Sequence, residues 1–310
     1  MVDEWVNRYQ AGESLNQIAR NELSPVTVLI HLRRRGLPLR DRVEAQIKAV
    51  TKHRKTSFAG TEAERAYIIG LRIGDLHAVR HGRAVRVRVS TTHPAMIELF
   101  SDIFSEHGPI YKYPKKSPLT EFEWSLECDL NSSFEFLLDP NAEIRRIVEN
   151  EALFLAFLAG FFDADGSIYY HKKATHGGFE FALTNMDAPL LRMIAERLGR
   201  MGFHPRLRLT QQEKDRGVEK GSQAIWRLSL WRHEEVSDII RRLPTRHSEK
   251  TAKRDLALQF DYRQAVFERA LLIREWEQLK STIKEGCSAC IRDAETAYEG
   301  ATKPRTAQKV

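Results

Sequence analysis

Cysteine is scarce in this sequence, with only Cys128, Cys287 and Cys290 among 310 residues. So few cysteines argue against a disulfide framework. Cys287 and Cys290 form a single C-x-x-C, but a structural zinc site needs four ligands, and no second pair of Cys or His stands nearby in the sequence. The sequence alone therefore gives little support to a zinc or redox site, and we interpret Cys128 as a packing residue of a strand.

Long apolar runs are missing as well. The densest one, residues 153–162, is about half of the roughly 20 residues that a membrane span requires. Residues 1–4 carry two acids and no apolar signal core, so the sequence indicates neither secretion nor organelle import. We expect a cytoplasmic protein, associated with the nucleoid if prokaryotic, that has no membrane partner.

Acidic residues are outnumbered by basic ones. The chain has 49 Lys and Arg against 42 Asp and Glu, a formal net charge of +7. Such an excess favours a polyanionic partner, of which nucleic acid is the commonest. The chain length suits two or three compact units.

The sequence contains an internal repeat. Residues 66–76 read AYIIGLRIGDL, and residues 156–166 read AFLAGFFDADG. Gly70 aligns with Gly160 and Asp75 with Asp165, and both pairs are 90 positions apart. A repeat of this length indicates two copies of one structural unit.

Similar segments follow each copy. Periods of 2 predict strands, and apolar spacing of 3 to 4 predicts helices. In the first copy these segments are residues 83–90, 94–107, 110–115 and 121–128; in the second they are 167–173, 179–184, 188–201, 205–211 and 224–231. The sequence therefore predicts an α+β fold of tandem, pseudo-symmetric αββαββα repeats, in which helices cover one face of each antiparallel sheet and the other face forms a saddle.

The repeated glycine and aspartate have a common explanation. Glycine costs roughly 1 kcal/mol against alanine inside a helix, so its repetition calls for a packing reason. We expect the two helices to pair through Gly70, Gly74 and Gly160, with Ala164 opposite, which brings Asp75 and Asp165 together. Two close carboxylates repel each other unless a cation lies between them, and Mg²⁺ with such ligands suits hydrolysis of a phosphodiester.

The second copy, LAGFFDADG at residues 158–166, resembles the motif that names the LAGLIDADG homing endonucleases at seven of nine positions. The resemblance extends over residues 62–260 and is similar to single-chain members with two motifs. It implies a monomeric, metal-dependent endonuclease, active in intron homing, that cuts a long asymmetric site in double-stranded DNA. Mg²⁺ is the implied cofactor, and Mn²⁺ or Ca²⁺ can replace it for binding.

The resemblance also implies roles for single residues. Asp75 and Asp165 would be the catalytic metal ligands, with Gly74 and Ala164 beside them at the metal site. Lys250 falls where the family has a catalytic basic residue, and the first repeat has no matching lysine. The polar residues Thr91 and Asn185 would hold the attacking water. Leu76 stands in place of the motif's last glycine, and Gly74 in place of alanine. Neither change removes the carboxylate, so we expect the function to survive, with a first site that could be slower and leave nicks.

Period-2 polar residues on the predicted strands indicate a surface that reads DNA. Arginine recognises guanine in the major groove, whereas lysine mostly neutralises phosphate. An ordinary solvent-facing sheet, which often carries basic residues, is the competing interpretation of each position. The candidate DNA-binding residues of the two repeats are Arg86, Arg88, Ser90, Tyr111, Tyr113, Lys115, Tyr169, His171, Lys173, Arg206, Arg208, Thr210 and Arg227.

Residues 1–40 differ in character from the repeats. Three short helices are predicted, with Gly12 after the first, Ser14 capping the second and Ser24-Pro25 opening the third. The pattern resembles helix-turn-helix domains of the resolvase and sigma-factor types. In that interpretation Thr27, His31 and Arg34 enter a major groove, with Arg33 and Arg35 near the backbone.

These patterns divide the chain into five segments. They are a helix-turn-helix domain at 1–40, a basic linker at 41–60, the first repeat at 61–148, the second at 149–262, and a C-terminal helix with a flexible tail at 263–310, the helix being predicted from residue 251 to about 284. Two alternatives to an endonuclease stay open at this point. One is a maturase that binds intron RNA, and the other is a transcription regulator built on the same scaffold. A maturase can act with or without retained cleavage, and a regulator would be expected to lose one or both acids. The presence of both Asp75 and Asp165 therefore favours the nuclease.

Overall fold

The computed structural model describes residues 2–11, 13–20, 23–40, 55–172, 177–211 and 224–302. The chain forms two compact units, residues 1–54 and 55–310. The basic segment 41–54 and the predicted tail beyond 302 lie outside the described residues, as do Gly12 and Lys173.

The N-terminal unit contains three described helices, α1 (Val2–Gln10), α2 (Leu15–Ala19) and α3 (Pro25–Arg34). Ser14 caps α2 by accepting a hydrogen bond from the Gln17 amide at 3.2 Å, and the Gln17 side chain accepts one from the Ser14 amide at 2.8 Å. This reciprocal pair satisfies two amides that a helix start leaves free. The three helices share a small apolar core of Trp5, Tyr9, Ile18, Ala19, Val28 and Leu32.

The second unit begins with the first repeat. Its elements are α4 (Glu62–Gly74), β1 (His77–His81), β2 (Ala84–Thr91), α5 (Pro94–Phe104), β3 (Ile110–Ser117), β4 (Glu121–Leu130), a 3₁₀ turn (Ser132–Leu137) and α6 (Asn141–Glu149). The second repeat and the C-terminal region follow with α7 (Glu151–Asp165), β5 (Gly166–His171), β6 (Gly178–Asn185), α8 (Ala188–Arg200), β7 (Arg206–Gln211), β8 (Ile225–Leu230), α9 (His233–Arg242), α10 (Ser248–Gln259) and α11 (Val266–Thr302).

The two sheets have the same topology. All pairings are antiparallel, and the strand orders are β1-β2-β4-β3 and β5-β6-β8-β7. Because side chains alternate between faces, Val85, Val87 and Val89 are buried on one face of β2 while Arg86, Arg88 and Ser90 lie on the other. The predicted α+β class with two repeated antiparallel sheets is confirmed.

Three parts of the sequence interpretation need correction. The predicted linker over 41–60 ends earlier, because Phe58 packs on Phe134 and Phe136 and its amide donates to Ser133 Oγ at 2.8 Å. The helix predicted from 251 to 284 is two helices, α10 and α11, separated at residues 260–265, and the second extends to Thr302. Strand β1, between Leu76 and the turn at Gly82, lacks the alternation that would have predicted it.

The C-terminal helix α11 contacts both repeats. Trp276 is buried, with its ring 4.8 Å from that of Phe179 in β6. Farther along the helix, Tyr298 lies against Phe122 in β4, with ring centroids 5.5 Å apart. Within the described residues, no helix is long and apolar enough to cross a membrane.

Candidate active site at the paired helices

Helices α4 and α7 pack so closely that their backbones are in contact at Gly70 and Gly160. A Cβ atom built on Gly70 would lie 2.7 Å from the Phe161 amide nitrogen and closer still to the Phe157 carbonyl oxygen. One built on Gly160 would lie 2.9 Å from the Leu71 nitrogen and closer to the Tyr67 carbonyl oxygen. Real Cβ atoms do not come within such distances of backbone, so the close packing depends on both glycines.

This packing brings Asp75 and Asp165 to the same end of the helix pair. A Cβ on Gly74 would meet the Ala164 side chain and lie 3.4 Å from Asp165 Oδ2. Burial, reinforced by the charge of Asp75, raises the pKa of Asp165 to about 6. Desolvation by the surrounding protein also raises the pKa of Asp75, against the charges of Lys250 and His93. Part of the Asp75 side chain is nevertheless exposed to solvent.

The two acids differ in the side-chain hydrogen bonds that they accept. Asn185, at the end of β6, donates a short hydrogen bond to Asp165 Oδ2 and is itself fixed by the Asp187 amide at 2.8 Å. Thr91, the residue predicted for the same task in the first repeat, is buried and accepts from the His93 amide at 3.0 Å. Within the described part of the chain, no side chain donates to Asp75.

Lys250 lies beneath the helix pair and caps α7. Its Nζ donates to the carbonyl oxygens of Phe162, Asp163 and Ala164 at 2.6, 2.6 and 2.8 Å. Burial lowers the pKa of Lys250 to about 8, against the attraction of Asp163, Asp75 and Asp165. A single lysine thus interacts electrostatically with both candidate acids. Its positive charge also lies at the C-terminal end of α7, where it stabilises the negative end of the helix dipole.

Asp163 is a residue that the sequence interpretation missed. It is fully buried, and its Oδ2 accepts from Tyr67 Oη at 2.6 Å and from the amides of Arg246 and His247 at 2.7 and 3.2 Å. Through these bonds it joins α4, α7 and the start of α10, the helix that carries Lys250. Asp163 lies within the LAGFFDADG segment at residues 158–166, so its place in the motif could have indicated a functional role. The aligned position in the first repeat is Ile73.

The donor set of this site fits a hard divalent cation. The charge of Asp75 raises the pKa of Asp165, a repulsion that a bound cation would relieve, and Mg²⁺ prefers oxygen ligands of this kind. Gly74 and Ala164 can contribute only backbone oxygen, and the Ala164 carbonyl already accepts from Lys250.

Carboxylates occupy the accessible face of the first sheet, which the sequence interpretation did not foresee. Arg86 makes a bidentate pair with Asp129, at 2.8 and 3.0 Å, and Lys115 pairs with Glu123 at 3.1 Å. Glu127 lies 3.8 Å from Arg88 and accepts from Tyr113 Oη at 2.7 Å. Ser90 and Tyr111 are exposed.

The second sheet holds one buried acid and an exposed basic strand. Glu180 is fully buried and accepts from Arg227 at 3.1 and 2.8 Å and from His171 at 2.6 Å, while Arg227 lies over the Tyr169 ring. Thr210 donates to the Ile225 carbonyl at 2.9 Å, beside an irregularity in the strand pairing. Arg206 and Arg208 are exposed, and neither has an ion-pair partner within the described residues.

On α3 of the N-terminal unit, the candidate residues differ in exposure. Thr27 and His31 are half-buried, whereas Arg34 is exposed. The rings of His31 and Trp5 pack edge to face, with their centroids 5.7 Å apart. Val26 and Ile30 are the large apolar residues exposed on this helix, at 59% and 44%.

Residues 153–255 match the family model of the LAGLIDADG-like domain. The match begins in α7 and ends in α10, so it includes Asp165, Asn185 and Lys250. An uncharacterised protein of Methanocaldococcus jannaschii is 23% identical over 196 residues, which cover 60% of this chain and 68% of that protein.

Solved structures with similar chains include two homing endonucleases and a full-length WhiA protein. I-DmoI in complex with DNA and Mn is 16% identical, with 59% of this chain and 98% of that chain covered and a TM-score of 0.41. I-WcaI bound to its DNA recognition sequence is 15% identical, with 69% and 94% covered and a TM-score of 0.45. DUF199/WhiA from Thermotoga maritima is 12% identical, with 73% and 70% covered and a TM-score of 0.44.

Proposed function

We propose that this chain is a metal-dependent, site-specific endonuclease that hydrolyses double-stranded DNA. The observation that carries the proposal is the glycine-dependent pairing of α4 and α7, which brings one acid from each repeat, Asp75 and Asp165, to the same end of the pair. The family match supports it because the matched segment contains the second acid and its neighbours.

The residues around the two acids suit this chemistry. A divalent cation, when bound, lowers the pKa of a water molecule and polarises phosphate oxygens. Asp75 and Asp165 would hold the cations, and Asn185 fixes the orientation of Asp165. Lys250 lies where its charge acts on both acids, so it would stabilise negative charge that develops near the phosphate. Mg²⁺ is the cation we propose; similar endonucleases have been crystallised with DNA and Mn or Ca.

The sheets are the surfaces that we propose to read DNA. Arg206 and Arg208 stand exposed on alternate positions of β7 without ion-pair partners among the described residues, so they are free to contact phosphate or guanine. The arginines of the first sheet already pair with carboxylates, so DNA must compete with Asp129 and Glu127 for them. The two unlike surfaces favour a long asymmetric target.

For the N-terminal unit we propose a helix-turn-helix role, with α3 as the helix that enters the major groove. Its exposed residues, among them Val26, Ile30, Arg33 and Arg34, combine apolar groups suited to thymine methyls with cations suited to phosphate or guanine. Because His31 packs against Trp5, we assign it a structural part as well.

The test is cleavage of a random duplex DNA library by the purified protein, with Mg²⁺ and with EDTA. We expect metal-dependent double-strand breaks at a restricted set of sequences. Asp75→Asn and Asp165→Asn should each abolish double-strand cleavage, and a single active acid should leave at most a nick. Full double-strand cleavage by either variant would refute the assignment.

Binding without cleavage would point to one of two other functions. Retention of specific duplexes in the presence of Mg²⁺, without breaks, is the result expected of a DNA-binding regulator. Preference for structured RNA over duplex DNA is the result expected of an intron maturase. The same library, offered as DNA and as its RNA transcript, separates the three outcomes.

A further inference from the structure

A second group of side chains that could bind a metal comes from the start of α5, from α10 and from α11. His93 precedes α5, Glu249 is in the first turn of α10, and Cys287 is midway along α11. One ligand atom from each residue lies within 4.8 Å of the other two. The residues are 156 and 38 positions apart in sequence order, so no local motif could have indicated the group.

The distances are close to those of a tetrahedral zinc site. With Zn–N and Zn–O of about 2.0 Å and Zn–S of about 2.3 Å, a tetrahedral angle separates N from O by about 3.3 Å and S from N by about 3.5 Å. In the structure His93 Nδ1 lies 3.2 Å from Glu249 Oε2 and 3.3 Å from Cys287 Sγ. The Glu249 carboxylate and Cys287 Sγ lie within 4.8 Å of each other, so side-chain movements would open the centre to an ion.

The ligand types distinguish this group from the paired aspartates. An imidazole nitrogen, a carboxylate oxygen and a thiolate sulfur suit Zn²⁺, whereas Mg²⁺ is bound by oxygen and disfavours sulfur. With both the thiol and the carboxyl deprotonated, the three side chains carry two negative charges, which a divalent ion neutralises. Cys287 and Glu249 are half-buried and His93 is exposed, so the group is open to an entering ion.

We infer that His93, Glu249 and Cys287 form a zinc site, distinct from the two aspartates, with a water molecule as the fourth ligand. Zinc binding needs a thiolate at Cys287 and an unprotonated Nδ1 at His93, so the protons on these atoms pass to water, and no oxidation or reduction takes place. The ion would connect the first repeat, the helix that carries Lys250 and the C-terminal helix. This inference is independent of the proposed nuclease activity, since it concerns other residues and a different ion.

The competing explanation is a metal-free cluster. His93 Nδ1 already lies within hydrogen-bond distance of the Glu249 carboxylate, Cys287 can contribute a weak hydrogen bond, and Lys253 interacts electrostatically with both Glu249 and Cys287. In that case Cys287 would contribute little that serine could not replace.

The experiment measures zinc in the full-length protein after exhaustive dialysis. All proteins carry Asp75→Asn and Asp165→Asn, so that ions held by the paired acids are not counted. We expect about one zinc per chain, held by three side chains and a water molecule, and loss of that zinc in Cys287→Ser and in Glu249→Gln. Cys290→Ser is the matched control, because Cys290 lies one turn away on α11 and is buried outside the group.

A second readout identifies the sulfur ligand. Co²⁺ added to the zinc-free protein should give the intense near-ultraviolet band of a thiolate-to-cobalt charge transfer, and the band should be absent from Cys287→Ser but present in Cys290→Ser. Circular dichroism shows whether each variant is folded, and Glu249→Gln keeps the test available if one is not. Zinc content and cobalt spectra that are the same in Cys287→Ser and in Cys290→Ser would overturn the inference.

Discussion

Asp163 and Asp165 are two positions apart on α7 and have opposite surroundings. Asp163 is buried and satisfied at one oxygen by a tyrosine hydroxyl and two amides, so it joins three helices. Asp165 is half-buried, accepts one side-chain bond from Asn185 and faces the charge of Asp75. The first is a positioning residue, and the second is available to a cation.

Replacing Asp165 should stabilise the metal-free protein at neutral pH. Its pKa is raised to about 6 in the folded state from 3.8, so the folded state binds more protons than the unfolded state between these values, and stability falls as pH rises through that window. Asp165→Asn removes this loss, at most about 3 kcal/mol for two pKa units.

The measurement is thermal unfolding in EDTA from pH 4 to pH 8. The gain in Tm of Asp165→Asn over the natural protein should be complete above about pH 6 and vanish near pH 4. Asp102→Asn, which changes an exposed carboxylate on α5, is the control and should show no such rise. A pH-independent difference would contradict the assigned cause.

At the scale of elements, the α4–α7 interface leaves no room for a side chain at Gly70 or Gly160. Alanine at Gly70 would place a Cβ against the backbone of α7, and side-chain movement cannot relieve a clash with backbone atoms. Overpacking of this kind typically costs about 1–3 kcal/mol and sometimes more.

We therefore expect Gly70→Ala to lower the free energy of unfolding by at least about 2 kcal/mol, measured by urea denaturation. Gly199→Ala is the matched control within a helix, since a Cβ there meets nothing within 4 Å. It should raise stability by about 0.5–1 kcal/mol, because alanine favours the helix. Equal stabilities for the two variants would show that the helices do not pack as closely as described.

The β7 strand gives a prediction for DNA binding. Arg208→Ala should weaken binding and reduce the slope of log K against log salt by about 0.9, the effect of one lost phosphate contact. Arg241→Ala removes the same charge from an exposed position on the helix α9 and should leave the slope unchanged. Neither change should alter stability by more than about 0.5 kcal/mol. Equal slopes for the two variants would exclude this part of the sheet from the interface.

The sequence predicted those elements whose residues follow a regular local pattern. Alternation along residues 84–91 and the repeated glycine and aspartate were sufficient for the sheets and the helix pair. It did not predict the acids of β4, because Glu123, Glu127 and Asp129 are recognised as partners of Arg86 and Lys115 only once the strand register is known. His93 and Cys287 were missed for the same reason, since 194 positions separate them.

For the whole molecule, the division into two compact units leads to a prediction. Removing residues 1–54 leaves the apolar core of the second unit unchanged, since the N-terminal core contains only its own residues. We expect the shortened protein to unfold cooperatively, to retain Mg²⁺-dependent cleavage, and to bind its target more weakly. Affinity equal to that of the full chain would mean that the N-terminal unit does not contact DNA.

The pairing of α4 with α7 joins two segments of one polypeptide. The local concentration of each helix near the other is set by the 76 residues between Gly74 and Glu151 and not by the number of molecules in solution. Dilution therefore cannot separate the two acids, and a cell that holds only a few copies of the protein still holds that many assembled pairs.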